Sequence, residues 1–302
     1  MSTPRWSAAS IDLPYRAPYD VGWMQWFLSG HAVPGMETHR GGVYRRSLRL
    51  PHGPAVITVR FVPGRGGSGV ARTEVRARAE ADLDVALDRV RSVLALDVDA
   101  EPIDRALAAD PALAPCVRAV PGIRVPGAFD SSEVLLRTMI GQQISLGAAA
   151  THTARLVAAL GEPVGDDEGV GHHGITHLFP TDAAVAARGA EVLTGPTRRI
   201  TAIAATAGAL ADGALDIRHD RSAYEQEKSL TDLKGVGPWT ARYVSMRLLR
   251  DPDVLLDTDL VVRQGAAVLD VDLSNSERWS PWRSYVSMHL WRVALSARGV
   301  YP

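Results

Sequence analysis

Leu233-Lys234-Gly235-Val236-Gly237-Pro238-Trp239-Thr240-Ala241 links two helical patterns, residues 221–232 and 238–250, through a connection short enough to demand a tight hairpin. Two glycines one residue apart let the backbone turn sharply and leave its amides uncovered. Those amides sit at the start of the second helix, where the positive end of the helix dipole suits a phosphate oxygen. An ordinary helix–turn–helix corner is the plainer reading of the same nine residues. About twenty residues on comes Asp253-Val254-Leu255-Leu256-Asp257-Thr258-Asp259-Leu260-Val261-Val262-Arg263, an apolar stretch that ends in acids and runs into a helical start.

Working outward, the chain is helical in pattern from Ser131 nearly to its end. Ser131 or Ser132 caps a helix running to Gly141, and Ser145 caps the next, 146–160. Thr181 opens another, Pro196 stands at the first position of 198–210, and a last helix spans about 281–297. The N-terminal third reads differently. Residues 43–50 and 55–62 flank a turn with Pro51, Gly53 and Pro54, which predicts an antiparallel hairpin, and the glycine-rich stretch 64–69 closes that unit. Leu83, Leu87, Val90 and Leu94 then mark one apolar helix face. Residues 1–98 therefore read as a small sheet backed by helices.

Composition narrows the chemistry. Over 302 residues, 33 basic and 34 acidic side chains nearly cancel, which excludes a histone-like or polybasic protein but not a local basic face. Lys228 and Lys234 are the only lysines, so a Schiff-base mechanism has two candidates. Cys116 stands alone, so neither an intrachain disulfide nor a Cys-ligated zinc or iron–sulfur centre forms. The polar first ten residues and the lack of any membrane-length apolar run predict a soluble, cytoplasmic protein.

The hairpin followed at this spacing by Asp259 resembles the helix–hairpin–helix–Gly/Pro–Asp superfamily of DNA glycosylases. Within it the chain is most similar to the 3-methyladenine DNA glycosylase II (AlkA-type) family. The likeness includes Pro18-Tyr19-Asp20 with Trp23, Met24 and Phe27, then Ile140-Gly141-Gln142-Gln143-Ile144-Ser145, the hairpin, and Trp282-Arg283-Ser284-Tyr285 with His289-Leu290-Trp291. It implies a mostly α protein with an N-terminal α+β domain, that is, a helix–hairpin–helix glycosylase fold joined to a TATA-binding-protein-like antiparallel sheet. The implied domains are 1–108, a helical domain 131–252 with the hairpin, and a second helical domain from 109–130 and 253–302 that carries the catalytic aspartate.

The resemblance also implies roles. Asp259 is the catalytic aspartate, since a fixed carboxylate stabilises the positive charge that develops on the sugar or orients the attacking water. Read without the family, it is a helix N-cap; read with Asp257 as Asp-x-Asp, it is half of a metal site in a glycosyltransferase. Phe27, Trp239, Tyr243, Leu260 and Trp291 take the positions of the pocket for the flipped base, where electron-rich rings attract a cationic alkylated purine. Leu260 stands where the family prototype has an aromatic, and Val261 where it has a larger aliphatic.

Gln143 stands where the prototype wedges a leucine into the gap left by the flipped base. Gly235, Gly237 and Thr240 face the DNA backbone, and the carbonyls of Thr231, Leu233 and Val236 correspond to the family's monovalent-cation site. The implied reaction is monofunctional base release from double-stranded DNA by a monomer, with no organic cofactor. The alternative is an inactive DNA-binding protein that keeps the hairpin. His172, His173 and His177, with Asp166, Asp167 and Glu168 nearby, read as a solvated insertion rather than a zinc site, and Arg45-Arg46 with Arg72, Arg76 and Arg78 as solvated faces.

Overall fold

Five antiparallel strands form one sheet: β1 (Ser7–Tyr15), β2 (Glu37–Arg40), β3 (Val43–Leu50), β4 (Gly53–Pro63) and β5 (Gly69–Ala77), in spatial order β1-β5-β4-β3-β2. A computed structural model describes residues 6–165, 172–217 and 222–301. The β3–β4 hairpin pairs Val43 with Arg60 and Leu50 with Gly53, as the turn residues predict. The glycine-rich stretch does not close the unit: it turns the chain back into β5, at the middle of which Val75 pairs with both Ile57 and Ala9. One sheet face packs on α1 (Val21–His31) and α2 (Leu83–Val93), burying Met24, Leu28, Ile57, Val75, Val90 and Leu94.

The helical remainder comprises α3 (Glu101–Leu107), α4 (Ala114–Ala119), α5 (Ser131–Ile140), α6 (Leu146–Leu160), α7 (Asp182–Val192), α8 (Thr197–Ala211), α9 (Ala223–Thr231), α10 (Pro238–Leu248), α11 (Leu260–Leu269) and α12 (Arg283–Ala297). Ser145 and Thr181 cap α6 and α7 as expected. For α5 the cap is Asp130, whose carboxylate accepts from Glu133 N, and neither serine takes that place. One apolar cluster joins α5–α8 with α9 and α10. A second joins α3, α4, α11 and α12 with Trp23 and Phe27 of α1 and Tyr243 and Met246 of α10. Helix α10 thus belongs to both clusters, while α1 joins the second to the sheet.

Arg46 is not solvated. It is 3% exposed and lies between Glu37 on β2 (2.9 Å) and Glu133 on α5 (2.5 Å). Arg137 completes a square of alternating charges, 2.7 Å from Glu133 and 3.1 Å from Glu37. Removing one member strands a buried charge, at a cost of about 3–5 kcal/mol. The sequence shows only two adjacent arginines on a strand; the acids that bury one of them come from elsewhere in the chain. Arg137 also donates to the His31 carbonyl at 2.5 Å, which pins the end of α1, and with it Phe27, to α5.

The histidine-bearing loop also departs from expectation in part. Ile175 and Leu178 are buried against Trp6, Val56 and Val164, so the segment after His173 docks on the sheet. Asp166, Asp167 and Glu168 lie outside the described residues. Among the described residues no group of three or more His, Cys, Asp or Glu side chains is placed to hold a metal, and no helix is long and apolar enough to cross a membrane. Of the other arginines, Arg72 is exposed as expected, in a two-point pair with Asp12 (2.7 and 2.9 Å), while Arg78 lies over the Trp6 ring.

Candidate active site

The segment before α11 is laid against α12 by its own amides. Val254 N donates to Ser284 Oγ at 2.9 Å and Leu256 N to Ser287 Oγ at 3.1 Å, while Arg283 grips Asp253 at two points, 2.7 and 2.9 Å. Beyond it α11 lies directly on α12: a Cβ at Gly265 would drive into the Leu290 backbone, so glycine is what lets the helices approach. The N-terminus of α11 is thereby fixed relative to Trp291.

Asp259 caps that terminus. Its Oδ1 accepts from Val261 N (2.8 Å) and Val262 N (3.0 Å), so the plain N-cap reading is correct as far as it goes. The same carboxylate also accepts from Trp291 Nε1 at 2.9 Å and, on Oδ2, from Trp239 Nε1 at 3.0 Å. Four donors converge on two oxygens, a set suited to the acceptor-only carboxylate form and to the positive end of the helix. The group is half-buried and held in one orientation by donors from α10, α11 and α12. Asp257 is not its partner in a metal pair: its carboxylate takes Arg242 at 3.1 Å and its carbonyl takes Arg263 Nε at 2.8 Å.

Around the carboxylate the aromatic side chains form a graded stack. Trp239 lies parallel to Tyr243 (5.4 Å between centroids, 7°), and Tyr243 meets Trp291 at 6.1 Å and 51°. Phe27 is placed otherwise than expected. His31 stacks on it at 4.0 Å and 17° while the Arg247 guanidinium lies 4.6 Å from its centroid, and two groups that close must occupy opposite faces. Phe27 therefore has no open face for a base and lies in the core, 2% exposed. Leu260, 68% exposed on the first turn of α11, stands apart from the stack.

Sequence reasoning missed Arg247 and His31. Arg247 donates to the Tyr243 hydroxyl (2.6 Å) and to the carbonyls of Pro126 and Gly127 (2.5 and 2.7 Å), and so fixes Tyr243. Its spacing of four from Tyr243 was the only available signal. Burial, then the Arg247 charge, push the His31 imidazole down to about 3, so the ring is neutral at pH 7 and its Nδ1–H donates to the Phe27 carbonyl at 2.8 Å. A cavity of about 280 Å³ lies between β3 and α5, bounded by Arg49, Phe129 and Asp182, and includes none of these groups.

The hairpin runs from Thr231 to Pro238. Gly235 needs its glycine: φ is +88° and an added Cβ would stand 2.7 Å from Ala202. Gly237 is exposed, with φ −92° and open space where a Cβ would go, so the turn itself makes no demand for glycine there. Thr240, expected to face the DNA backbone, is buried, and its hydroxyl takes a hydrogen bond from Gln142 Nε2 at 3.0 Å. Gln143 is exposed and held at φ +61°, a conformation unusual outside glycine and of the kind that clusters at functional sites.

Residues 10–130 match the family model of the AlkA N-terminal domain. The chain is 38% identical over 288 residues to the "Probable bifunctional transcriptional activator/DNA repair enzyme AlkA" of Mycobacterium tuberculosis, covering 93% of this chain and 56% of that protein. It is 31% identical over 288 residues to DNA-3-methyladenine glycosylase 2 of Escherichia coli, covering 92% and 95%. It thus spans about half the length of the mycobacterial relative and nearly all of the E. coli one. Among solved structures, the 3-methyladenine DNA-glycosylase from Archaeoglobus fulgidus shares the fold, with a TM-score of 0.73 at 20% identity over 95% of this chain and 98% of that one. The chain belongs to the AlkA family of DNA-3-methyladenine glycosylases.

Proposed function

We propose that the chain is a monofunctional DNA glycosylase, acting as a monomer in the cytoplasm, that hydrolyses the N-glycosidic bond of alkylated purines such as 3-methyladenine and 7-methylguanine flipped out of double-stranded DNA. The observation that carries this reading is the Asp259 carboxylate held by the indoles of Trp239 and Trp291 beside a stacked pair of rings. A purine alkylated at N3 or N7 is cationic, so the electron pair of the breaking bond neutralises it and no acid is needed to expel it. Positive charge passes to the sugar, where the fixed carboxylate stabilises it and orients the water that adds to the anomeric carbon and loses a proton. Trp239 has one face on Tyr243, so its other face is the one available to the base, a contact worth about 0.5–2 kcal/mol for a cation.

We divide the chain as 1–108, 131–252, and 109–130 with 253–302, with the hairpin amides of Gly235 and Gly237 gripping phosphate and Gln143 filling the gap. The carbonyls of Thr231, Leu233 and Val236 would hold a monovalent cation at the hairpin: they are neutral oxygen donors, of which Leu233 spends one lone pair on Val236 N at 3.1 Å. Bound there, it would add positive charge to the phosphate-binding turn. The test is base release from alkylated DNA, with a panel of 3-methyladenine, 7-methylguanine, ethenoadenine and hypoxanthine. Release of the two cationic bases by the wild type and not by Asp259→Asn is the expected result; tight DNA binding without release of any base would instead favour an inactive binding protein.

A further inference from the structure

Gln142 ties together two loops that come from opposite ends of the hairpin-bearing domain. Its side-chain nitrogen has two N–H groups and two acceptors, the Gly235 carbonyl and Thr240 Oγ1, each at 3.0 Å. Its own carbonyl accepts from Arg199 Nη1 at 2.6 Å. Helix α8 thus braces both partners: Arg199 holds the turn after α5, and Ala202 lies against the hairpin at Gly235. The next residue is Gln143, exposed and in the left-handed conformation. An L-residue keeps that conformation only where its surroundings impose it, and Gln142 and Arg199 anchor the residue immediately before it.

We infer that Gln142 is a positioning residue that locks the Gln143 turn onto the hairpin, so that the side chain entering the duplex and the amides gripping the backbone advance as one rigid unit. The inference rests on the reading of Gln143 as the inserted residue. Flipping a nucleotide costs unstacking free energy, and a side chain that holds the gap open must resist being pushed back out. A turn tethered only to its own helix ends would yield. Locked to the hairpin, it draws on the phosphate grip, so sequence-independent binding is converted into insertion.

The test is a double-mutant cycle between Gln142→Met, which keeps length and bulk but has no N–H, and Gln143→Ala. Four quantities are read: melting temperature, Kd for undamaged duplex, flipping reported by 2-aminopurine fluorescence, and the single-turnover rate of base release. Gln142→Met is expected to keep the undamaged-DNA Kd within about twofold while lowering flipping and release about tenfold, and the double variant to be no slower than Gln143→Ala within about twofold. Losses that multiply, to about a hundredfold, would show that Gln142 acts independently of Gln143 and overturn the inference. So would a parallel fall in melting temperature, undamaged-DNA binding and release, which marks a merely structural residue. Normal flipping by Gln143→Ala would remove the wedge reading and the inference with it, while a wild type that releases no base would remove the glycosylase reading. Should Gln142→Met fail to fold, Thr240→Val removes one of the two acceptors; an unchanged flipping signal in that variant would overturn the inference too.

Discussion

Trp239 Nε1 donates to Asp259 Oδ2 at 3.0 Å, joining the first turn of the hairpin helix to the carboxylate at the start of α11. The aromatic side chain next to the hairpin and the acid twenty residues on are therefore one device, in which the ring stacks on Tyr243 and the N–H aims the carboxylate. Trp239→Phe separates the two roles. Stacking area is largely kept and one charge-assisted hydrogen bond, about 1.5–3 kcal/mol, is lost. The single-turnover rate of base release should fall about ten- to a hundredfold with little change in Kd for a stable abasic analogue. Unchanged release would mean that Trp239 serves only as a stacking surface.

Asp259 caps α11 and, in the proposed reaction, stabilises the charge on the sugar, and substitutions can part the two. Asparagine keeps a carbonyl oxygen to cap Val261 and Val262, but its NH2 must face the indole that donated to the other oxygen. Asp259→Asn should abolish release, by at least about a hundredfold, while costing stability modestly. Asp259→Ala should remove the cap as well, about 1 kcal/mol more. Thermal melts alongside release assays check both; near wild-type release by Asp259→Asn would remove the catalytic role.

The two hairpin glycines should answer differently to an added side chain. At Gly235 the positive φ and the Ala202 contact make any side chain a strain on the fold, so Gly235→Ala should lower the melting temperature. At Gly237 the fold has room, so Gly237→Leu should melt like wild type and yet bind all DNA sequences more weakly, because only an approaching phosphate meets the new side chain. Anisotropy at one salt concentration decides it. Equal affinities would reduce the hairpin to a structural corner.

What the sequence displayed was local or spaced regularly. The β3–β4 turn, the caps at Ser145 and Thr181, the hairpin glycines and the order Trp239, Tyr243, Asp259 are all of this kind. What it hid was set by distant partners. Arg46 looked solvated because Glu37 and Glu133 lie 9 residues before and 87 after it, and Phe27 looked like pocket because its covering groups, His31 and Arg247, meet it only in the folded chain. The β5 strand was lost to its arginines, which alternate outward while Ala71, Thr73 and Val75 point inward.

Two histidines predict an acid limb in stability. Burial drives His289 to about 3, its Nδ1 without a partner, and burial with the Arg247 charge does the same to His31. Both folded values lie below the unfolded 6.5, so the unfolded state binds more protons between pH 6.5 and 3 and stability falls as pH is lowered through that window. At pH 5 each histidine costs at most about 2 kcal/mol. His289→Leu should therefore lose less stability than wild type between pH 7 and 5 in denaturant melts. An identical slope would exclude His289 as a source.

Borohydride should trap no covalent adduct between the protein and damaged DNA, and strand breaks should appear only after alkali or heat. A lyase step needs a neutral amine at the sugar. Two residues after the second hairpin glycine stands Trp239, whose N–H is committed to Asp259 and whose nitrogen is not nucleophilic. Of the two lysines, Lys228 on α9 pairs with Asp232 at 3.4 Å, and Lys234 lies exposed on the hairpin turn. The 31 arginines offer no substitute, since a guanidinium stays protonated at any working pH. A trapped adduct that disappears in Lys234→Ala would show that the turn reaches the sugar, and would overturn the assignment of a hydrolytic, monofunctional reaction.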